Sequence, residues 1–172
     1  MYSNDYGPTE VTVCATFHKI TGLHNSSERV PIGTPINNKN VFILQGNELC
    51  GIGVPGELCV AGIGIAQGYL NMPDLTKEKF IKNPFGNGKL YRTGDKARWL
   101  ANGDIEFLGR IDTQVKIRGY RIELGEVENA IRKVDAISDC VVIAHKDASG
   151  DKELHAFYVA KDIVEQSVVK EI

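Results

Sequence analysis

Short apolar runs separated by turn-forming residues make up most of the first two thirds of the chain. Runs of four to eight residues rich in Val, Ile, Leu and Phe and bounded by Gly or Asn are typical of β-strands. This pattern predicts strands at Val41–Leu44, Glu57–Ala61, Lys89–Thr93, Ala97–Leu100 and Asp104–Leu108. Asn102-Gly103 between the last two is a hairpin signal. We expect a short surface helix after Pro73, a loop at Asn83–Gly88, and polar, loop-rich structure over residues 1–40.

The apolar spacing changes beyond residue 110. Over Glu123–Val134 it follows a helical period, with acidic residues in the first half and basic residues in the last turn. The flanking segments read as strands, at Gln114–Ile117, Arg121–Leu124, Cys140–Ala144 and Leu154–Val159. A turn is expected at Asp147–Asp151, and a helix could begin at Ile163. The change near Arg110–Asp112 predicts two domains, 1–111 and 112–172, in an α+β chain.

Composition and charge exclude several classes of protein. The chain has 172 residues and a net charge of −2, from 20 basic and 22 acidic side chains. This balance predicts no nucleic-acid or anionic-membrane partner. There is neither a membrane-length apolar run nor a secretory signal, so we expect a cytoplasmic protein. Neither the four cysteines nor the four histidines have the sequence spacing of metal ligands, so no zinc site or disulfide framework is expected.

Six of the 18 glycines lie between Gly51 and Gly68, and they include a misleading motif. The stretch Gly51–Gly56 matches G-x-G-x-x-G, which in dinucleotide-binding folds follows a strand and opens a helix. Here Pro55 interrupts the motif and a strand-like run follows it. The glycines are therefore interpreted as turns between short strands.

Three segments contain side chains that could bind a ligand or take part in catalysis, and each also has an alternative interpretation. Tyr6–Glu10 presents an aromatic ring, a hydroxyl and a carboxylate, which could stack on a base, contact a phosphate and bind a divalent cation, or form a surface turn. Asp95 could accept hydrogen bonds from a ribose diol or cap a turn. Arg110–Arg121 carries a local charge of +3 and could be a nucleic-acid strand, a solvated edge strand or an anion-handling loop.

Four motifs in order carry a resemblance that covers most of the chain: Asn4–Glu10, Gly56–Leu70, Tyr91–Asp95 and Gly109–Glu128. Together they resemble the C-terminal part of an amino-acid adenylation domain of a nonribosomal peptide synthetase, in the adenylate-forming superfamily. The resemblance implies a small distorted β-barrel portion of the large subdomain, followed by an incomplete α+β lid. It also implies that upstream and downstream parts of the synthetase are missing, among them the phosphate loop and a C-terminal lysine.

By this resemblance the parent enzyme joins an amino acid to ATP as aminoacyl-AMP, with Mg²⁺, and passes it to the phosphopantetheine thiol of a peptidyl carrier protein. The isolated chain is expected to be inactive. The resemblance assigns adenine to Tyr6, phosphate to Thr9, Mg²⁺ to Glu10 and ribose to Asp95 and Arg110. Phe107 occupies a further nucleotide-contacting position, where many relatives carry tyrosine.

The resemblance also implies roles in the lid and in the amino-acid pocket. It places Lys116 near the ribose and phosphates after closure, the hinge at Asp112, and Gly119 on the loop that approaches the pantetheine. Asp5, Val13 and Cys14 match positions that line the pocket. The alternatives left open are a fragment of an acyl- or aryl-CoA ligase, a non-catalytic module that binds a nucleotide or a carrier protein, and a nucleic-acid module that uses Arg110–Arg121.

Overall fold

The structure is a computed structural model that describes residues 2–21, 29–111, 114–117, 120–146 and 152–161. The chain divides into two compact units, Met1–Ile111 and Asp112–Ile172. The strands of the first unit are β1 Tyr2–Tyr6, β2 Thr16–Ile20, β3 Thr34–Pro35, β4 Lys39–Gln45, β5 Glu48–Leu49, β6 Gly56–Gly62, β7 Phe80–Lys82, β8 Lys89–Trp99 and β9 Ile105–Arg110, with helix α1 at Pro73–Lys79. The second unit contains β10 Val115–Ile117, β11 Tyr120–Ile122, α2 Leu124–Ile131, β12 Ile137–Lys146 and β13 Lys152–Ala160.

An antiparallel sheet forms the centre of the first unit, in the order β5-β4-β6-β8-β7, with β9 paired to β8. Strand β6 is buried on both faces because its side chains alternate between two apolar clusters. Leu58 and Val60 pack into the main core, while Cys59 and Ala61 pack on the opposite face. The sheet curls into half a barrel, and helices are few, so the predicted α+β fold with a partial β-barrel is confirmed.

Most strand predictions in this sheet are confirmed, with one change at β8. The two strands predicted at Lys89–Thr93 and Ala97–Leu100 are a single strand. Gly94 takes a positive φ of 71°, and register shifts against β6 and β9 absorb the irregularity instead of ending the strand. The G-x-G-x-x-G-like stretch leads into β6 and not into a helix, which confirms its interpretation as a turn.

The expectation of loop-rich structure over residues 1–40 is wrong, because β1, β2 and β3 form a three-stranded antiparallel sheet there. Strand β1 has few apolar residues, so its sequence carries no hydrophobic alternation. Its five residues pair one by one with β2, from Tyr2 opposite Ile20 to Tyr6 opposite Thr16. This pairing leaves the sequence Tyr6–Glu10 at the end of a strand, next to the large sheet.

In the described part of the second unit, helix α2 packs against the β12–β13 hairpin, and β10 and β11 form another two-stranded sheet. Leu124 and Ile131 of α2 pack against Ile137, Cys140 and Val142 of β12, as the helical spacing predicted. The helix is shorter than the predicted Glu123–Val134, with Glu123 at the N-cap. The predicted turn at 147–151 and the helix predicted from Ile163 lie outside the described residues. No helix in the described part of the chain is long and apolar enough to cross a bilayer.

Candidate functional site

A buried carboxylate lies where β8 pairs with β9. Asp95 and Arg110 are register partners, so their side chains meet across the two strands. Arg110 Nη1 donates to Asp95 Oδ1 at 2.9 Å and to the carbonyl oxygen of Thr93 at 2.7 Å. The Asp95 side chain is only 8% exposed. A buried carboxylate of this kind depends on its cationic partner, because an unpaired charge in the interior is costly.

Tyr6 provides the second contact to this carboxylate. Its hydroxyl donates to Asp95 Oδ2, and its ring lies beside that of Phe107, with centroids 6.1 Å apart. Burial, followed by the negative charge of Asp95, raises the pKa of Tyr6 far above its usual value. A phenol is already protonated at neutral pH, and this shift extends its role as a donor to higher pH. Four residues that sequence reasoning assigned to the nucleotide thus lie in one cluster: Tyr6, Asp95, Phe107 and Arg110.

Two further groups, which the sequence analysis did not single out, fix the backbone around Asp95. Thr93 Oγ1 donates to the Leu58 carbonyl at 2.6 Å and accepts from the Asp95 amide at 3.0 Å. Glu57 accepts from Arg92 through both Nε and Nη2, at 2.9 and 2.7 Å, and from the Gly94 amide at 3.0 Å. Thr93 lies within the sequence motif Tyr91–Asp95, so the sequence draws attention to this residue. Only the pairing of β6 with β8 identifies its partner, the Leu58 carbonyl.

Replacing Thr93 with valine is expected to destabilise the first unit by about 1–3 kcal/mol. The methyl group keeps the shape but leaves a buried carbonyl and a buried amide without their hydroxyl partner. Thr93→Ser is the matched control, since it keeps both hydrogen bonds and removes only a methyl group. The free energy of unfolding in urea measures both changes. Equal losses for valine and serine would contradict a hydrogen-bonding role.

Glu10 lies in a separate polar cluster. It is 8% exposed, within a single 3₁₀ turn at Thr9–Val11, and Tyr69 donates its hydroxyl to Glu10 Oε1 at 2.8 Å. The Tyr91 hydroxyl lies 3.2 Å from that of Tyr69. Burial, and then the hydrogen bond with Tyr69, raise the pKa of Tyr91 strongly. Sequence reasoning predicted Glu10 but missed both tyrosines, which follow it by 59 and 81 positions.

A cavity of about 620 Å³ opens in the first unit beside Arg110, and neither Asp95 nor Glu10 lines it. Arg92, Lys96 and Arg110 line it together with Glu57 and Ile111. Arg110 therefore contacts the buried Asp95 while also bordering an open cavity.

Several known proteins are similar to this chain in sequence. A family model described as "AMP-binding enzyme" matches residues 2–70. Bacitracin synthase 3 of Bacillus licheniformis is 56% identical over 164 residues, which is 94% of this chain and 2% of that protein. Tyrocidine synthase 1 of Brevibacillus parabrevis is 51% identical over 162 residues, 93% of this chain and 15% of that protein. The chain is thus similar to nonribosomal peptide synthetases over almost all of its length.

Solved structures of nonribosomal peptide synthetase proteins are also similar to this chain. An NRPS protein containing adenylation and PCP domains superposes with a TM-score of 0.80 at 33% identity, over 97% of this chain and 34% of that chain. An artificially fused adenylation–PCP di-domain NRPS from Klebsiella oxytoca gives a TM-score of 0.77 at 31% identity, over 98% and 32%. The resemblance to nonribosomal peptide synthetase adenylation domains is confirmed. The chain spans only a small share of the curated synthetases it matches and about a third of these solved proteins.

The donor set of this chain fits a nucleotide and a divalent cation. Tyr6 and Phe107 offer adjacent aromatic faces, and Asp95 offers carboxylate oxygens next to them. Glu10 is a buried carboxylate beside the exposed Thr9, and oxygen ligands of this kind are those that Mg²⁺ prefers. The individual roles of these residues stay predictions.

The predicted pocket residues lie around the β1–β2 connection. Burial raises the pKa of the Cys14 thiol, and the negative charge of Asp5 raises it further, so the two side chains interact. The Cys14 thiol donates to the Thr16 carbonyl at 3.3 Å. Val13 is 81% exposed and has a positive φ of 64°, an unusual conformation for a β-branched residue. Its backbone approaches Gly7 so closely that a Cβ there would lie 2.1 Å from the Val13 oxygen.

The predicted lid residues are only partly described. Lys116 belongs to β10 and pairs with Arg121 across the β10–β11 hairpin. The side chain of Lys116 lies outside the described residues, as do Asp112 and Gly119 altogether. Their roles as phosphate contact, hinge and pantetheine loop therefore stay predictions from the sequence.

Proposed function

We propose that this chain holds the nucleotide in a nonribosomal peptide synthetase that activates an amino acid with ATP. The single observation that carries the proposal is the buried Asp95 carboxylate, held by Arg110 and Tyr6 beside the Phe107 ring. In the proposed reaction the amino-acid carboxylate attacks the α-phosphorus of ATP and expels pyrophosphate. The carrier thiol then attacks the acyl carbon and releases AMP.

The hydrogen-bonding capacity of Asp95 supports its proposed role at the ribose. An ionised carboxylate has about four lone-pair sites on its two oxygens. Arg110 and Tyr6 each use one, on different oxygens, so one site per oxygen stays available. Two acceptors on neighbouring oxygens match a vicinal diol. Because the carboxylate is already fixed by two donors, little further ordering is required when the ribose binds.

The other proposed contacts follow the chemistry of each group. The Tyr6 and Phe107 rings provide flat apolar faces for adenine, and the exposed Thr9 hydroxyl can donate to a phosphate oxygen. Mg²⁺ bound at Glu10 would neutralise charge on the phosphates. Tyr69 orients the Glu10 carboxylate through its hydrogen bond. Charge stabilisation and positioning are the main contributions a protein makes to phosphoryl chemistry.

The second half of the proposed function concerns the lid and the carrier protein. We propose that Met1–Ile111 is the end of the large adenylation subdomain and that Asp112–Ile172 is part of the lid, with Asp112 as the hinge. Lys116 would then approach the nucleotide, and Gly119 the phosphopantetheine of the peptidyl carrier protein. Adenylation–PCP neighbours support a carrier-protein partner. Asp5, Val13 and Cys14 would line the pocket for the amino-acid side chain.

Amino-acid-dependent exchange of pyrophosphate into ATP tests this function. The full-length synthetase that we propose contains this segment is expected to catalyse exchange with one or a few amino acids, and the isolated chain with none. Exchange driven by fatty or aryl acids, with thioester formation on free coenzyme A, would support the ligase alternative and contradict the proposal. Nucleotide binding without any exchange would support a non-catalytic module.

A further inference from the structure

Two histidines and a glutamate meet on the β12–β13 hairpin of the second unit. His145 is the register partner of Glu153, and His155 follows Glu153 by two positions. Residues two apart on a strand share a face, and directly paired residues lie side by side, so all three belong to one face. The spacing of the histidines in the sequence does not predict this cluster, because the side chains are brought together by the register of the two strands.

The three side chains are close enough to share one ion. One ligand atom from each lies within 4.8 Å of the other two. His155 Nε2 lies 2.7 Å from Glu153 Oε1, and the two imidazole rings have centroids 5.0 Å apart. Tetrahedral bonds of about 2.1 Å place ligand atoms about 3.4 Å apart. Small side-chain rotations would bring this cluster to that spacing.

The backbone beneath the cluster holds it in place. The β12–β13 register is continuous from Asp139–Val159 to Lys146–Lys152. The opposite face of the hairpin packs through Cys140 and Val142 against α2. A site on paired strands with one packed face is positioned more accurately than a site on a loop.

The local surroundings also favour a cation. Lys146 and Lys152 are next to the cluster in sequence, but strand alternation directs them to the other face. Ile143 pairs with His155 on the same face and is 42% exposed, which gives the cluster an apolar neighbour. His145 and Glu153 are exposed, so an ion could enter from solvent and water could complete its coordination.

We propose that His145, Glu153 and His155 bind a divalent transition metal ion of the Zn²⁺ class. Two imidazoles and one carboxylate suit Zn²⁺, Ni²⁺, Co²⁺ or Cu²⁺, whereas Mg²⁺ prefers oxygen ligands alone. The site is separate from the proposed Mg²⁺ ligand Glu10 and does not depend on the adenylation function. An ion that binds only the folded hairpin stabilises it, so the metal would act as a cross-strand clamp on the second unit.

Metal titration of the untagged 172-residue chain tests the proposal. We expect one Zn²⁺ per chain by calorimetry, no heat of binding with Mg²⁺, and a visible Co²⁺ spectrum without a thiolate charge-transfer band. His145→Gln and His155→Gln should each weaken Zn²⁺ binding by about tenfold or more, because loss of a direct metal ligand costs at least as much as the roughly 10- to 100-fold loss seen when a group that only orients a ligand is changed. His18→Gln, in the first unit, is the matched control and should leave the affinity unchanged.

Nuclear magnetic resonance provides a second readout that does not depend on how stable the variants are. Co²⁺ added to the wild-type chain should broaden the imidazole signals of His145 and His155 before that of His18. Any of three results would overturn the proposal: no binding of Zn²⁺ or Co²⁺, unchanged affinity in the double variant His145→Gln/His155→Gln, or binding that disappears when the cysteines are alkylated.

Discussion

Replacing Gly33 with alanine is expected to destabilise the first unit by about 2–5 kcal/mol. Gly33 has a φ of +79°, and a Cβ there would lie 2.0 Å from the carbonyl oxygen of Phe17. The overlapping atoms are backbone, so no side-chain rotation relieves the clash. Gly33 also forms a bridge with Ile105, whose amide donates to the Gly33 carbonyl at 2.9 Å. Ile105 begins β9, the strand that carries Phe107 and Arg110, so the damage would extend to the proposed nucleotide site.

Gly53→Ala is the matched control for this prediction. Gly53 has the same φ of +79°, but an added Cβ meets nothing within 4 Å. It therefore incurs only the cost of the left-handed conformation, about 1–2 kcal/mol. The loss of backbone freedom in the unfolded chain is the same for both substitutions and cancels in the comparison. Urea unfolding measures the difference, and equal stabilities for the two variants would show that the close approach to Phe17 is not maintained in solution.

The sequence predicts most accurately the strands and helices whose own residues are apolar. Strands β4 and β6 combine dense apolar runs with glycine or asparagine at their ends, and α2 has a complete helical stripe. In these cases local propensity and burial agree, so the pattern alone identifies the element. By contrast, β1 has the sequence Tyr-Ser-Asn-Asp-Tyr and is a strand only because β2 pairs with it.

The chemistry of the candidate site depends on contacts that sequence distance hides. Asp95 was predicted from its motif, but its hydrogen bond from Tyr6 spans 89 positions. Tyr69 reaches Glu10 across 59 positions. Such contacts depend on how the sheets bring distant segments together, which no local pattern encodes. The cluster of His145, Glu153 and His155 has the same origin, since the β12–β13 register creates it.

Substituting Asp95 with asparagine in the proposed synthetase is expected to lower kcat/KM for ATP by about 10- to 100-fold. The amide keeps the shape and can still accept from Arg110, but it replaces one carboxylate oxygen with a donor. One ribose hydroxyl then loses a hydrogen bond to a charged acceptor, which is worth about 1.5–3 kcal/mol. The ribose lies away from the reacting atoms, so this contact is the same in the ground and transition states. The loss should therefore appear mainly as a higher KM for ATP, with kcat little changed.

Nucleotides that lack one hydroxyl distinguish a ribose contact from a general loss of structure. The wild-type enzyme should use 2′-deoxy-ATP less efficiently than ATP, because the deoxy nucleotide lacks a hydroxyl that donates to the charged carboxylate. Asp95→Asn should reduce this difference, because the variant offers that hydroxyl no charged acceptor. Asp74→Asn, an exposed change on α1, is the control and should alter neither KM nor the preference for ATP. If Asp95→Asn kept the full preference for ATP over 2′-deoxy-ATP and 3′-deoxy-ATP, the carboxylate would not hold the ribose, and the proposed role of Asp95 would be wrong.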